Sequence, residues 1–202
     1  MSRSISRKEL FHNLLGGFRE VGRRAAALPS ARPERLVRPP GARLPDTDYL
    51  AACTGCEACV PACPPGAIFM ASVGDETPRR VAVLDAERKP CFMCRDLPCI
   101  AACTPRALQP LAGPRTMRIG IAQISPLRCR TFREERCDLC IKVCPLPGEA
   151  IRAVNGRPIV AAQHCTGCGL CVMACPESPK AVQVFPERDL LPGVRLPIVP
   201  LR

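Results

Sequence analysis

The sequence predicts an α+β fold with little regular secondary structure, in which short helices and short β-hairpins are organised around cysteine side chains. Three observations predict this fold. The 202 residues include 16 Cys but only six Phe, one Tyr and no Trp, so a large hydrophobic core is not expected. The cysteines fall into four sets of four. Short β-prone runs with turn residues lie between these sets.

The first and the last cysteine sets have the same spacing. Both read C-x2-C-x2-C-x3-C-P, with Pro64 and Pro176 as the closing residues. Bacterial ferredoxins use this spacing to bind [4Fe-4S] clusters: three thiolates bind one cluster, and the fourth ligates the other cluster of a pair. The two sets are Cys53, Cys56, Cys59 and Cys63, and Cys165, Cys168, Cys171 and Cys175.

The two middle sets are variants of the same run with longer gaps. They read C-x2-C-x4-C-x3-C and C-x7-C-x2-C-x3-C, and the second of them is followed by Pro145. Their members are Cys91, Cys94, Cys99 and Cys103, and Cys129, Cys137, Cys140 and Cys144. Four sets of four use every Cys in the chain. The sequence therefore predicts four [4Fe-4S] clusters with all 16 thiols as ligands.

Disulfides and zinc sites fit this pattern less well than clusters do. Triplets of Cys at three-residue intervals are poor partners for local disulfides, and the chain has no convincing secretory signal. Zinc sites take paired Cys, or Cys with His, whereas each triplet leaves an odd ligand and the chain has two His. His164, directly before Cys165, is interpreted as a loop side chain near a cluster.

The links between the motifs are predicted to be β-hairpins. The clearest is in residues 151–162, where Asn155-Gly156 forms a tight turn between two β-prone runs. Residues 69–84 and 108–124 also hold two β-prone runs around a turn that contains Gly or Pro. The expected architecture is ferredoxin-like, with two bacterial-type 2[4Fe-4S] modules.

Three regions are expected along the chain. Residues 1–45 combine a basic amphipathic helix, which begins at a capping box in residues 6–9, with a Pro-rich linker. Residues 46–186 form the four-cluster domain, and residues 187–202 form a Pro-rich tail. Three uses of the first region remain open: docking to a partner, peripheral contact with an anionic membrane surface, and export. Lys8 replaces the second Arg of a twin-arginine signal, so we expect a cytoplasmic protein.

The formal net charge of +11 does not indicate a nucleic-acid-binding protein. A [4Fe-4S]2+ core with four thiolates carries about −2, so four clusters would offset most of this charge. The cluster region has no zinc finger, RNA-binding aromatic motif or sustained basic stripe. No run of 18 or more uncharged apolar residues occurs, so no transmembrane segment is expected.

Residues 46–186 resemble the ferredoxin-type polyferredoxins encoded with periplasmic nitrate reductase and with methylamine utilisation. More broadly, they resemble the four-cluster electron-transfer subunits of the dimethyl sulfoxide reductase family. The most specific piece is residues 129–145, with Arg136-Cys137-Asp138-Leu139-Cys140, and Pro98-Cys99 is similar to the second motif of those subunits. Exported members carry a twin-arginine signal that this chain lacks, which brings it closer to the cytoplasmic ferredoxin-type member.

The resemblance also bears on which motifs share a pair of clusters. Sequential pairing joins the first motif with the second and the third with the fourth, whereas the four-cluster subunits nest the first with the fourth and the second with the third. The hairpins fit both schemes, and we favour nesting. The nested sets are Cys53, Cys56 and Cys59 with Cys175; Cys165, Cys168 and Cys171 with Cys63; Cys91, Cys94 and Cys99 with Cys144; and Cys129, Cys137 and Cys140 with Cys103.

The predicted function is electron transfer without catalysis by this chain alone. Every predicted iron has a Cys ligand, so no cluster offers an open position to a substrate. The sequence also has no Gly-rich phosphate loop and no dinucleotide fingerprint. We expect single electrons to pass through the four clusters to or from an oxidoreductase or an electron-donor protein. The alternative is a cytoplasmic accessory protein for maturation of a metalloenzyme such as a nitrate reductase.

Four arginines surround the third motif, at positions 128, 130, 133 and 136. They allow two interpretations. Positive charge near a cluster would stabilise its reduced, more negative form and raise its potential. Alternatively, the arginines form the solvated face of a loop.

Overall fold

The computed structural model describes residues 36–73, 79–186 and 198–199. All of them belong to one compact unit, Ala31–Arg202. The strands are β1 (Leu36–Val37), β2 (Ile68–Val73), β3 (Arg79–Asp85), β4 (Ile121–Ile124), β5 (Ile151–Val154), β6 (Arg157–Val160), β7 (Val182–Phe185) and β8 (Ile198–Val199). The helices are α1 (Asp46–Ala52), α2 (Pro98–Ala101), α3 (Leu139–Lys142) and α4 (Leu170–Ala174), and two 3-10 turns span Pro114–Thr116 and Arg130–Arg133. The predicted N-terminal amphipathic helix lies outside the described residues, as does most of the C-terminal tail.

Two of the three predicted hairpins are confirmed. β2 and β3 pair antiparallel from Ile68 opposite Leu84 to Val73 opposite Arg79. β5 and β6 pair around Asn155 and Gly156, whose φ angles of 50° and 75° are those that a two-residue hairpin turn requires. Asn155 and Gly156 therefore form the tight turn that the sequence predicted.

The third predicted hairpin, in residues 108–124, is wrong. Only its second half forms a strand, β4, and this strand pairs antiparallel with β7, which follows the last cysteine motif. The first half contains Pro110 and Pro114, which have no N–H to donate to a ladder, and it turns through the 3-10 helix at Pro114–Thr116. β4 thus finds its partner about 60 residues away in sequence.

Each half of the fold is closed by a long-range pairing. In the second half, β4 precedes the third motif and β7 follows the fourth. In the first half, Ala42 forms a bridge with Leu108, and the Arg43 N–H donates to the carbonyl of Ala107 at 3.0 Å. The segment before the first motif therefore pairs with the segment after the second. In both halves, the first and last segments pair with each other, and each half contains two adjacent motifs.

Residues 36–45 belong to the folded domain, which moves the predicted boundary at residue 46 towards the N-terminus. β1 pairs with β3 at the edge of a four-stranded sheet ordered β1-β3-β2-β8. Leu36 and Val37 are buried, and the buried Arg38 forms an ion pair with Asp46 at the start of α1. The apolar pair covers the edge of β3, so this segment is a strand of the domain rather than a linker. At the opposite edge, β8 of the predicted tail pairs with β2.

The hydrophobic core combines aliphatic side chains, alanines and cysteines. Tyr49, Met117, Ile119 and Val172 are among its largest fully buried side chains. Six cysteines are themselves part of it, namely Cys59, Cys99, Cys129, Cys140, Cys165 and Cys175. Within the described ranges, no helix has both the length and the apolar character needed to cross a membrane.

Candidate iron-sulfur centres

The 16 thiols gather into four groups of four, which we call sites I to IV after the motif that supplies three members. Site I is Cys53, Cys56, Cys59 and Cys103, which line one pocket. Site II is Cys91, Cys94, Cys99 and Cys63, which line a second pocket. Site IV is Cys165, Cys168, Cys171 and Cys144, which line a third pocket. At site III, Cys140 lies beside Cys129, Cys137 and Cys175.

This grouping shows that the nested pairing is wrong. The first motif receives its fourth thiol from Cys103 of the second motif, not from Cys175. The third motif receives Cys175, and the fourth receives Cys144. The physical reason is that two long-range pairings hold adjacent motifs against each other. These are the bridge between Ala42 and Leu108 and the pairing of β4 with β7. Pairing is therefore sequential.

One turn of helix separates the third from the fourth cysteine in most motifs. α2 leads to Cys103, α3 to Cys144 and α4 to Cys175. Four helical residues rise about 6 Å, which carries the last thiol away from the first three and towards the neighbouring site. A Pro at or next to the position after the fourth cysteine ends each turn, because its ring cannot continue a helix.

In the first and fourth motifs, the loop between the first two cysteines turns sharply at a glycine. Gly55 and Gly167 have φ angles of 71° and 72°, in the left-handed region that favours glycine. A Cβ at Gly167 would lie 2.4 Å from the backbone nitrogen of Gly120, and one at Gly55 would lie 2.7 Å from the carbonyl oxygen of Arg80. These loops therefore need glycine for both backbone conformation and space.

Several sulfurs accept hydrogen bonds. The backbone N–H of Ala67 donates to Cys63 Sγ at 3.3 Å, that of Leu108 to Cys103 Sγ at 3.3 Å, and that of Ala122 to Cys165 Sγ at 3.4 Å. Such donors stabilise negative charge on a thiolate, and they are one of the factors that set the potential of an iron-sulfur cluster.

Several of the thiols are in surroundings that oppose a free thiolate. Burial raises the pKa of Cys59 and Cys91 to about 12, and that of Cys99 and Cys140 to about 11. As free side chains these cysteines would be protonated at neutral pH. Four thiolates around one apolar cavity need positive charge between them, which bound iron supplies. The donor sets therefore fit [4Fe-4S] clusters.

Among the described residues, no three side chains of His, Cys, Asp or Glu are close enough to hold a single metal ion, as a zinc site would require. The thiols of sites I, II and IV stand around pockets instead. His164 is exposed in a turn and does not line the cavity of site IV.

The arginines of the third motif form ion pairs. Arg130 Nε donates to Glu177 Oε1 at 2.6 Å, and Arg133 Nη2 donates to Glu177 Oε2 at 3.0 Å. Arg133 also pairs with Glu135 at 3.2 Å, while Arg128 donates to the carbonyl of Lys180 at 3.4 Å. The long loop of the third motif is thereby tied to the segment after Cys175. The two arginines lower the pKa of Glu177 through these hydrogen bonds.

Sequence reasoning missed two residues beside the sites. Glu177 comes two positions after Cys175, and its only signal was an acidic residue next to an arginine-rich motif. Tyr49, the single Tyr, is buried on α1, lines the cavity of site I and donates its hydroxyl to the carbonyl of Ala82 at 2.6 Å. Burial raises the pKa of Tyr49, so the hydroxyl stays protonated and available as a donor. The available signal in the sequence was the single Tyr four residues before a cysteine motif.

Comparison with known proteins identifies two domains and several relatives. A 4Fe-4S dicluster domain model matches residues 52–107, and a second 4Fe-4S dicluster domain model matches residues 121–176. Each match contains two adjacent motifs, in agreement with sequential pairing.

Among the relatives is the methylamine utilization ferredoxin-type protein MauM of Paracoccus denitrificans (strain Pd 1222), which is 38% identical over 188 residues and covers 87% of this chain and 81% of its own length. MauM of Methylorubrum extorquens is 36% identical over 162 residues, covering 75% and 73%. The ferredoxin-type protein NapG of Escherichia coli (strain K12) is 32% identical over 163 residues, covering 74% and 70%. No solved structure matches the chain.

Proposed function

The chain belongs to the family of ferredoxin-type iron-sulfur proteins that includes MauM and NapG, and from this premise we propose that it relays single electrons through four [4Fe-4S] clusters to or from an oxidoreductase partner. The observation that carries the proposal is the arrangement of the thiols. All 16 are used, in four groups of four, and each dicluster match contains two of the groups.

Each cluster, when bound, accepts and releases one electron at a time. The chain contributes the positions and the surroundings. The thiols of each group would hold the cluster from four directions, and the backbone N–H groups of Ala67, Leu108 and Ala122 would stabilise charge on their sulfurs. Apolar side chains such as Met70 and Ile151 line the pockets at the sites. These features adjust a potential without taking part in bond chemistry.

The proposal includes no reaction at the clusters themselves. Every site has four thiols, so each iron of a bound cluster has its own Cys ligand and no position is left for a substrate. We therefore propose a carrier or an electron-transfer subunit, whose donor and acceptor are other proteins.

Metal analysis of anaerobically purified protein tests the proposal. We expect about 16 iron atoms and about 16 acid-labile sulfides per chain, corresponding to four cubane clusters. Stepwise reduction followed by electron paramagnetic resonance (EPR) should then account for four one-electron couples. About 12 iron atoms would reduce the relay to three clusters, and zinc with little sulfide would overturn it.

A second function, assistance in the maturation of a metalloenzyme, is kept because residues 1–30 contain none of the 16 cysteines and carry a basic sequence pattern that suits docking to a partner. Deleting residues 1–30 discriminates the two functions and leaves β1 in place. A relay should keep its iron content and EPR spectrum after the deletion. A maturation factor that docks through this segment should lose activation of its partner enzyme, and full activation by the truncated chain would contradict that role.

We also propose that the protein acts in the cytoplasm. The proposal rests on Lys8, which stands where a twin-arginine pattern has its second Arg. Fractionation of cells that express the full chain is the test. Recovery of the protein from the periplasm would contradict the proposal.

A further inference from the structure

The two modules touch each other through the loops of the second and fourth motifs. The backbone N–H of Cys91 donates to the carbonyl of Cys168 at 2.7 Å. Cys91 belongs to site II and Cys168 to site IV. One backbone hydrogen bond therefore joins residues that belong to two different sites in two different modules.

Two further contacts lie at the same junction. Thr166, which is buried, donates its hydroxyl to Met93 Sδ at 3.6 Å. Gly169 packs so closely on Ala86 that a Cβ at Gly169 would lie 2.5 Å from the Ala86 Cβ. Met93 and Thr166 lie between cysteines of their motifs, and Gly169 follows Cys168 directly. The loops that surround sites II and IV thus contact each other with no other layer between them.

Within each module, the neighbouring sites are linked by short spans. Sites I and II are joined by residues 59–63 and 99–103, and sites III and IV by residues 140–144 and 171–175. Each span has its first cysteine in one site and its last in the other. A helical span of four residues covers about 6 Å, so the two sites of a module are immediate neighbours.

We propose that electrons cross between the modules at the junction of Cys91 with Cys168, so that the sites are used in the order I, II, IV, III or its reverse. This inference rests on the proposed relay. Electron tunnelling becomes steeply slower with distance, so direct contact decides which sites exchange electrons. Each transfer oxidises one site and reduces its neighbour by one electron, and no bond is formed or broken. Sites I and III are the two ends, where redox partners exchange electrons with the protein.

The surroundings of sites I and III suit contact with partners. Of the 16 cysteines, Cys56 of site I is the exposed one. Beside site III, Leu127 is 90% exposed and Leu139, which precedes Cys140, is 44% exposed. In contrast, Thr166, Gly167 and Gly169 around site IV are buried. The ends of the proposed order are thus accessible from solvent, and the junction is covered on the side of site IV.

EPR of two matched double variants of the full chain tests the order. Cys56→Ala with Cys137→Ala removes a thiol from sites I and III and leaves sites II and IV complete. Cys94→Ala with Cys168→Ala leaves sites I and III complete. Each variant should hold about eight iron atoms. After full reduction, we expect broadening by magnetic coupling between the two clusters in the first variant, and two uncoupled spectra in the second.

The outcomes separate this inference from the proposed function. Wild-type protein without iron and sulfide would overturn the relay itself, and the order with it. Clusters in both variants, with coupling in the second variant or without coupling in the first, would overturn the order alone.

A second pair of variants, with all 16 cysteines retained, covers the case in which the double variants do not fold. Ala86→Val adds bulk against Gly169 at the junction, whereas Ala71→Val adds the same bulk at a similarly buried position on β2. We expect a change in the coupled EPR spectrum of fully reduced protein for Ala86→Val, at unchanged iron content, and the wild-type spectrum for Ala71→Val. A wild-type spectrum from both variants would contradict the proposed coupling of sites II and IV at the junction.

Discussion

At the scale of single residues, Glu177 neutralises part of the positive charge of Arg130 and Arg133 in the third motif. Its two carboxylate oxygens accept hydrogen bonds from Arg130 and Arg133, so it places negative charge next to the residues that follow Cys175. The positive charge beside this site is therefore partly offset, and its effect on the potential of a nearby cluster stays a prediction. The arginines connect two motifs, and part of their charge is neutralised.

We predict that Glu177→Gln raises the midpoint potential of one cluster, on the order of tens of millivolts, because removal of a negative charge favours the reduced form. Redox titration monitored by EPR measures this shift. Glu149→Gln is the matched control, since Glu149 also binds an arginine, Arg115, through both carboxylate oxygens at 2.7 Å, and is exposed. Equal shifts in both variants, or none in Glu177→Gln, would contradict a local effect at site III.

Tyr49 offers a second residue-scale prediction. Tyr49→Phe removes the hydroxyl that donates to Ala82 but keeps the ring in the wall of site I. We expect a loss of about 1 kcal/mol in the free energy of unfolding, typical of one hydrogen bond, with unchanged iron content. Tyr49→Ala also removes the wall and should lose iron faster in air. Equal rates of iron loss in the two variants would show that the ring does not protect the site.

At the scale of elements, two turns that contain glycine differ in the space that they leave for a side chain. Gly156 in the β5–β6 turn and Gly167 in the fourth motif have nearly the same φ, at 75° and 72°. A Cβ at Gly156 meets nothing within 4 Å, whereas a Cβ at Gly167 collides with the backbone of Gly120. A side chain would therefore have a similar conformational cost at both positions, but it would clash with neighbouring atoms only at Gly167.

The two glycines form a matched pair for mutation. Gly156→Ala should cost about 1 kcal/mol of unfolding free energy, the usual penalty for a side chain in the left-handed region, and leave all clusters in place. Gly167→Ala should displace β4 from the fourth motif and lose about four iron atoms from site IV. Iron analysis and thermal unfolding measure both effects. Full iron content in Gly167→Ala would contradict the close approach.

At the scale of the whole molecule, stability and cofactor content are coupled. The core includes buried cysteines whose thiolates require a metal. We predict that chelation of iron under reducing conditions abolishes the cooperative unfolding transition seen by circular dichroism. Restoring iron and sulfide should restore it. A chelated protein that keeps its native transition would show that packing alone supports the fold.

The sequence predicted the parts of this architecture that depend on local spacing. The four cysteine sets and the Asn155-Gly156 turn require only neighbours in the chain, so they could be identified without a structure. The pairing of β4 with β7 and the delivery of Cys103 to the first motif depend on contacts between residues about 40 to 60 positions apart. Hairpins in the links were compatible with both pairing schemes, so local patterns did not distinguish them.

The pairing of β4 with β7 has a consequence for how such chains are assembled. Because Ile121 lies opposite Phe185, the second module starts and finishes at the same place, side by side. The bridge between Ala42 and Leu108 gives the first module the same property. A unit whose two ends meet can be duplicated in tandem without separating the segments that close it. In the proposed relay, each such duplication would add two clusters.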